Sequence, residues 1–273
     1  MMLYLIATPI GNLGDITYRA VETLQSCDEV WCEDTRQTAK LLNHLNIKKP
    51  LVSCHEYTQK EKAPLLLEKL RAGLDIAYVS DAGMPGISDP GAVLVQACIG
   101  VELPFTVLPG PSAVLTAAVL SGLPLDRFTF FGFLPREGAA RKKALADLSA
   151  CGSTAILYEN PHRVKDTLQD VLEEAGDCRC ALVRELTKVH ESCQRGSVSE
   201  VLSALPEEEK GECVLLFSIP PRAEEATSEA ELDELLLRLM DHMTLKDAAR
   251  EASDALKLPK KQVYARALEL KNE

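Results

Sequence analysis

Residues 75–91 read DIAYVSDAGMPGISDPG. The first six, DIAYVS (75–80), form an apolar run of strand length with β-branched and aromatic residues. The next stretch, Ser80–Gly91, holds three glycines, two prolines, two aspartates and two serines. Helical character resumes near 90–99. Connections between strands and helices usually run about two to six residues, so a loop this long and this rigidly built points to function. Glycines let the backbone approach a ligand closely, and ligands in open α/β sheets bind at the carboxyl ends of strands.

The same strand–turn–helix unit repeats on both sides. LYLIA (3–7) leads into the turn TPIGNLGD (8–15), and Asp15 is placed to cap a helix with Ile16, Ala20, Val21 and Leu24 on one face. EVWCE (29–33) reads as a strand, followed by a helix capped by Asp34 or Thr35 and running through Leu45. A short strand near 51–54 precedes a helix over about 59–72, and PFTVLPG (104–110) precedes the helix SAVLTAAVL (112–120). Such alternation predicts an α/β domain with a mainly parallel sheet. The linker SGLPLDR (121–127) separates it from a second set of strands, FTFFGFL (128–134), TAILYE (154–159), CALVRE (180–185) and ECVLLFS (212–218), with helices near 138–149, 161–175 and 198–204. A polar, acidic stretch (220–231) then leads to three short helices, with Thr244 capping the second and Pro259 opening the third, in a helix-turn-helix-like arrangement. The expected division is 1–121, 125–219 and 228–273.

At 273 residues, with 46% hydrophobic and 26% charged, the composition excludes collagen-like, low-complexity and wholly disordered chains. A net charge of −11 excludes attachment to nucleic acid by overall charge, so any such contact must be local. Nine cysteines without a C-x-x-C pair read as reduced, mostly buried thiols, and no metal site is expected. The apolar N-terminus lacks a basic segment and is broken by Pro9 and Gly11, and no run of about 18 apolar residues follows, which implies a cytoplasmic protein without a membrane span. No G-K-[ST] follows the glycine loops and no G-x-S-x-G elbow is present, which disfavours a nucleoside triphosphatase and a serine hydrolase. Residues 128–165 carry six Lys/Arg against three Asp/Glu, a local net of +3. Arg136, Arg141, Lys142, Lys143 and Arg163 therefore form a local positive patch that could hold phosphates, while Phe131 and Phe133 read as core.

LYLIATPIGNLGDIT, EDTRQTAKLL, YVSDAGMPGISDPG, VLPGPSAVLTA, FFGFLPR, YENPHRV and ELTKVHE occur in this order. The set resembles the tetrapyrrole-methylase-like (class III) S-adenosylmethionine-dependent methyltransferases, and within them those acting on small-subunit ribosomal RNA. The resemblance spans roughly 3–218 and extends less specifically over the tail. It implies two α/β domains with a cofactor cleft between them, a small all-helical tail, and a homodimer. It also implies methyl transfer from S-adenosylmethionine to the ribose 2′-hydroxyl of a cytidine in the decoding region of 16S rRNA, with the 30S subunit as the setting. Carried over residue by residue, the cofactor contacts are Pro9, Asp81, Gly83, Ser112 and Ala113, with Gly11, Tyr158 and Thr187 beside them. A ribose hydroxyl gains from a nearby base, and Glu159, Glu185, Lys188 and His190 lie at or just past strand ends where one is needed. Two other readings stay open: a methyltransferase for a tetrapyrrole or other small molecule, and a non-catalytic ligand sensor whose tail binds DNA.

Overall fold

Five apolar runs in the first 108 residues pair side by side, and the order in which they pair fixes where a ligand can sit. The computed structural model describes residues 1–206, 210–221, 229–256, 258 and 260–272, without the side chains of 229–231 and 272. Met1–Ile219 forms one unit and Pro220–Glu273 another.

The first unit opens with β1 (Met2–Ile6), α1 (Tyr18–Ser26), β2 (Glu29–Cys32), α2 (Thr35–His44), β3 (Leu51–Ser53), α3 (Gln59–Arg71), β4 (Asp75–Val79), α4 (Ala92–Gly100), β5 (Phe105–Leu108) and α5 (Ala113–Ser121). The strands form a parallel sheet in the order β3-β2-β4-β1-β5, with Leu3 opposite Ile76 on one side and Phe105 on the other. Successive side chains serve opposite faces. Leu3, Leu5, Trp31, Ile76 and Tyr78 pack with Ala63, Leu66, Leu70 and Leu94 of α3 and α4. Ile6, Val30, Cys32, Ala77 and Val79 pack with Ala20, Leu24 and Leu42 of α1 and α2. A sheet covered on both faces accounts for the nearly unbroken apolar runs in the sequence. The chain moves one way along the sheet from β1 to β3 and the other way from β3 to β5. Right-handed crossovers then place the helices on opposite faces. Adjacent β1 and β4 send their connections to opposite sides, so the crevice opens at their carboxyl ends.

The second sheet comprises β6 (Phe128–Phe133), β7 (Thr154–Glu159), β8 (Arg179–Arg184), β9 (Ser192–Ser197) and β10 (Cys213–Ser218). Their order is β6-β7-β10-β8-β9, with only β6 and β7 parallel. Its helices are α6 (Gly138–Ser149), α7 (Val164–Ala175) and α8 (Val198–Ser203), which cover one face through Leu145, Leu148, Leu168, Val171 and Val201. The other face, with Ile156, Ala181, Val183, Val214 and Leu216, packs on Val114, Ala117 and Ala118 of α5. The last helix of the first half thus belongs to the core of the second sheet.

One expectation needs correction, and one strand has no counterpart in the sequence reading. Thr17, not Asp15, caps α1 by accepting from the Ala20 amide at 3.1 Å, because residues 13–15 form a separate 3-10 turn. Strand β9 (SCQRGS) has no apolar alternation that would reveal it, because it is a polar edge strand paired only with β8. All nine cysteines are free thiols, six of them buried.

In the second unit α9 (Glu229–Met240), α10 (Leu245–Leu256) and α11 (Lys260–Asn272) close on Leu232, Leu236, Ala249, Ala252, Val263 and Ala267. Arg266 forks onto both carboxylate oxygens of Asp233 at 2.8 and 2.6 Å, tying α11 to α9. Thr244 caps α10, accepting from the Asp247 amide at 3.3 Å. Pro259 and residues 222–228 of the expected linker lie outside the described residues. Among the described residues no helix is long and apolar enough to cross a membrane.

Candidate active site

Three turns meet at the crevice. After β1, the Thr8 amide donates to Gly83 O at 2.9 Å and the Gly83 amide returns a bond to Thr8 O at 3.0 Å. This reciprocal pair fastens the first turn to the loop after β4. Gly83 has φ +76°, a backbone state that L side chains rarely adopt, and its place for a Cβ abuts Ile10. The loop is closed by the Gly86 amide on Pro90 O at 3.1 Å and by the Gly91 amide on the buried Gln59 side chain at 3.1 Å. The third turn follows β5, where Ser112 caps α5 by accepting from the Leu115 amide at 3.5 Å.

A cavity of about 350 Å³ opens here, in the range of small-molecule sites. The first sheet supplies Ile10, Gly83, Met84, Asp89, Ser112 and Ala113 to its wall, and the second supplies Phe133, Tyr158, Asn160, Leu186 and Val214. The Tyr158 ring stands edge-on to Phe130 at 5.0 Å and leans on Phe133 at 5.4 Å. Burial, helped by the Asp89 carboxylate, pushes its phenol up to about 12. Asp89 is half-buried, and burial together with the neighbouring Glu33 and Asp81 carboxylates raises its carboxyl to about 6, against an opposing Ser80 hydrogen bond. Burial likewise raises Asp81, which accepts from the Asp34 amide at 3.1 Å.

Of the expected cofactor residues, Gly83, Ser112, Ala113 and Tyr158 line the cavity, whereas Pro9, Gly11, Asp81 and Thr187 are not part of its wall. Gly11 lies hard against the loop after β8. A methyl group there would sit 2.6 Å from Lys188 Cγ and 2.8 Å from Leu186 O and Thr187 Oγ1. Thr187 is held at φ +63° with its amide on Glu191 at 2.7 Å, and its buried Oγ1 has no hydrogen-bond partner among the described residues. Asp89 is not among the residues the sequence singles out; its one cue there is its place as the second aspartate of SDAGMPGISDPG. Residues 211–214, at the start of β10, carry no local cue at all.

The candidate bases fare unequally. Glu159 is buried, and its carboxylate accepts from the Asn160 amide at 2.8 Å and Thr167 Oγ1 at 2.6 Å, with Arg163 at 3.5 Å. It lines the cavity as well, with both carboxylate oxygens already engaged by those partners. Lys188 bridges Glu185 at 2.9 Å and Glu212 at 3.1 Å, and Glu185 also accepts from the Glu212 amide. Each of these groups is already paired. His190 is exposed and is not part of the cavity wall.

The basic cluster divides too. Arg141 is 9% exposed, and it donates to Asp170 at 2.7 Å, Thr167 at 3.0 Å and Pro135 O at 3.1 Å. Arg163 donates to the carbonyls of Leu134 and Pro135. Both guanidinium groups hold the turn after β6 in place instead of facing solvent. Arg136, Lys142 and Lys143 remain exposed. Phe131 packs on the core as expected, but Phe133, the last residue of β6, is 58% exposed and lines the cavity instead.

Residues 2–202 match the family model for Tetrapyrrole (Corrin/Porphyrin) Methylases. The chain belongs to this family. As a tetrapyrrole-methylase family member it is a methyltransferase. Residues 226–271 match the RsmI C-terminal HTH domain. The chain is 44% identical to Ribosomal RNA small subunit methyltransferase I of Synechocystis sp., over 98% of both chains. It is 43% identical to the protein of that name from Vibrio cholerae, covering 98% of this chain and 94% of the other. Among solved structures, uroporphyrin-III C-methyltransferase from Thermus thermophilus, complexed with S-adenyl homocysteine, superposes with a TM-score of 0.57 at 20% identity, over 80% of this chain and 98% of that one. At that identity the likeness concerns the fold.

Proposed function

We propose that this methyltransferase modifies the ribose 2′-hydroxyl of a cytidine in the decoding region of 16S rRNA, within the 30S subunit in the cytoplasm. The observation that carries this reading is similarity along the whole chain, tail included, to methyltransferases named for small-subunit ribosomal RNA. S-adenosylmethionine supplies an electrophilic methyl group on a sulfonium. The cavity suits such a group: its size is adequate, its wall mixes apolar side chains with backbone turns, and the unpartnered Thr187 hydroxyl lies buried in the loop that adjoins Leu186. Gly83, Ser112, Ala113 and Tyr158 would hold the cofactor, while Ile10, Met84 and Leu186 exclude water.

Asp89 is the residue we assign as general base. It lines the cavity, and a carboxyl near 6 is ionised at neutral pH yet more basic than an ordinary aspartate. It takes the proton of the ribose hydroxyl as that oxygen gains its methyl group. Arg136, Lys142 and Lys143 are placed to contact phosphates. Pairing of two chains is supported by exposed apolar side chains on consecutive elements, Val107 on β5, Leu115 and Val119 on α5, and Phe128 on β6, since β5 and β6 are both sheet edges.

The test is transfer of labelled methyl from S-adenosylmethionine to 30S subunits lacking the modification, beside free 16S rRNA, with nuclease mapping of the product. A 2′-O-methylcytidine in the decoding region is expected. No transfer to either RNA, despite cofactor binding, would overturn the assignment and favour a small-molecule acceptor.

A further inference from the structure

The C-terminal unit carries a depression of its own. Lys246, Ala249 and Arg250 of α10 and Lys260, Lys261 and Tyr264 of α11 enclose about 550 Å³. Its geometry follows from spacing. Positions 246, 249 and 250 share one face of α10, as 260, 261 and 264 share one face of α11. The helices approach closely because their contact is built from Ala249, Ala252, Val263 and Ala267, and small side chains at the floor leave the space open. Ala249 is 3% exposed, whereas all four cations and Tyr264 are exposed.

The charge distribution is the unusual feature. Residues 241–273 hold seven Lys/Arg and six Asp/Glu, nearly neutral, and the whole chain stands at −11. Yet four of those seven cations line one depression, with no carboxylate among the described residues of its wall. Arg250 and Lys260 have weak, exposed partners in Asp247 at 3.4 Å and Asp254 at 3.7 Å, which solvent largely screens. Lys246 and Lys261 form no ion pair among the described residues. Concentrating like charge around an apolar floor costs stability unless an anion neutralises it. The exposed phenol ring of Tyr264 adds a flat surface at the same place.

We propose that this groove binds single-stranded RNA: Lys246, Arg250, Lys260 and Lys261 neutralise consecutive phosphates, and Tyr264 stacks on a base. It is a second RNA contact, built wholly within the C-terminal unit. The proposal rests on the reading that the substrate is ribosomal RNA. An acidic peptide would satisfy the cations but would make no use of the ring.

The experiment uses the full chain and three variants, K246E/K261E, Y264A and a control, K48E, an exposed lysine of the first unit. Affinity for a short fluorescein-labelled single-stranded RNA is measured by anisotropy across a salt series, with cofactor affinity by calorimetry and methyl transfer to 30S subunits alongside. The charge reversal is expected to weaken RNA binding about tenfold and to flatten the salt slope by roughly 1.4, at ~0.7 per lost phosphate contact. Y264A is expected to weaken binding about tenfold with the salt slope unchanged. Cofactor affinity stays at the wild-type value in both. RNA affinity and slope equal to wild type in K246E/K261E would overturn the groove. Failure of the wild-type chain to methylate either RNA, with the groove variants still impaired in RNA binding, would instead sink the substrate reading and leave the groove standing.

Discussion

Replacing Gly11 by alanine probes whether the first turn and the loop after β8 are one piece. The added methyl would sit 2.6 Å from Lys188 Cγ and 2.8 Å from both Leu186 O and Thr187 Oγ1. The lysine carbon can swing away. The Leu186 carbonyl cannot, being backbone, and the Thr187 hydroxyl is boxed in at φ +63°. Either the turn or the loop must retreat by about half an ångström, and overpacking of this kind typically costs about 1–3 kcal/mol. Leu186 also lines the cavity, so the displacement reaches the cofactor wall. If the cost falls on binding, affinity drops from about fivefold to beyond a hundredfold. Denaturant unfolding and calorimetric titration of the cofactor, run on G11A beside G100A, read both effects. Gly100 has open space around it and an ordinary φ at the end of α4, so its alanine meets no clash and does not destabilise. G11A indistinguishable from G100A in both stability and cofactor affinity would refute the close packing of turn and loop.

Asp89→Asn is expected to lower methyl transfer by at least tenfold at pH 8 with cofactor affinity retained, and wild-type turnover should fall as pH drops through about 6. Because the folded-state carboxyl is raised, its ionisation destabilises the fold above the unfolded-state value. D89N should therefore raise the melting temperature at pH 8 and hardly change it at pH 4; an equal effect at both pH values would dismiss that linkage. Arg141→Ala should cost about 2–3 kcal/mol by stranding Asp170 and the Pro135 carbonyl, whereas K142E/K143E should leave unfolding unchanged and weaken RNA binding; the opposite pattern would return Arg141 to the RNA surface. Val119→Glu, at a side chain 75% exposed, should leave monomer stability untouched and shift light-scattering mass from dimer to monomer, and an unchanged mass would remove α5 from the subunit contact.

The parallel half was legible because a sheet buried on both faces writes each strand as an apolar run and each loop as a break in it. LYLIA, EVWCE and DIAYVS all fall on β1, β2 and β4 within a residue. Strand β9 escaped because an edge strand needs backbone partners more than apolar side chains, and SCQRGS offers only the former. The cavity was half legible. Gly83, Ser112 and Ala113 announce themselves through turn chemistry, while Leu186 and Val214 are ordinary apolar residues that become wall only because β8 ends and β10 begins there. Arg141 and Arg163 misled for a related reason: a sequence shows charge, and only packing shows that the charge is already spent on carbonyls and carboxylates.

Helix α5 begins at the cavity with Ser112 and Ala113 and ends buried against β7, β8 and β10. A fragment stopping at Ser121 would carry a mostly apolar helix stripped of its packing partners, and a fragment starting at 125 would bare the face of Ile156, Ala181, Val183 and Val214 to water. Severed there, the two pieces are each aggregation-prone alone and complementary together. Co-expressed, they should find one another through that helix, and methyl transfer would return only when both are present, which makes the 121–125 junction a natural place for a split reporter.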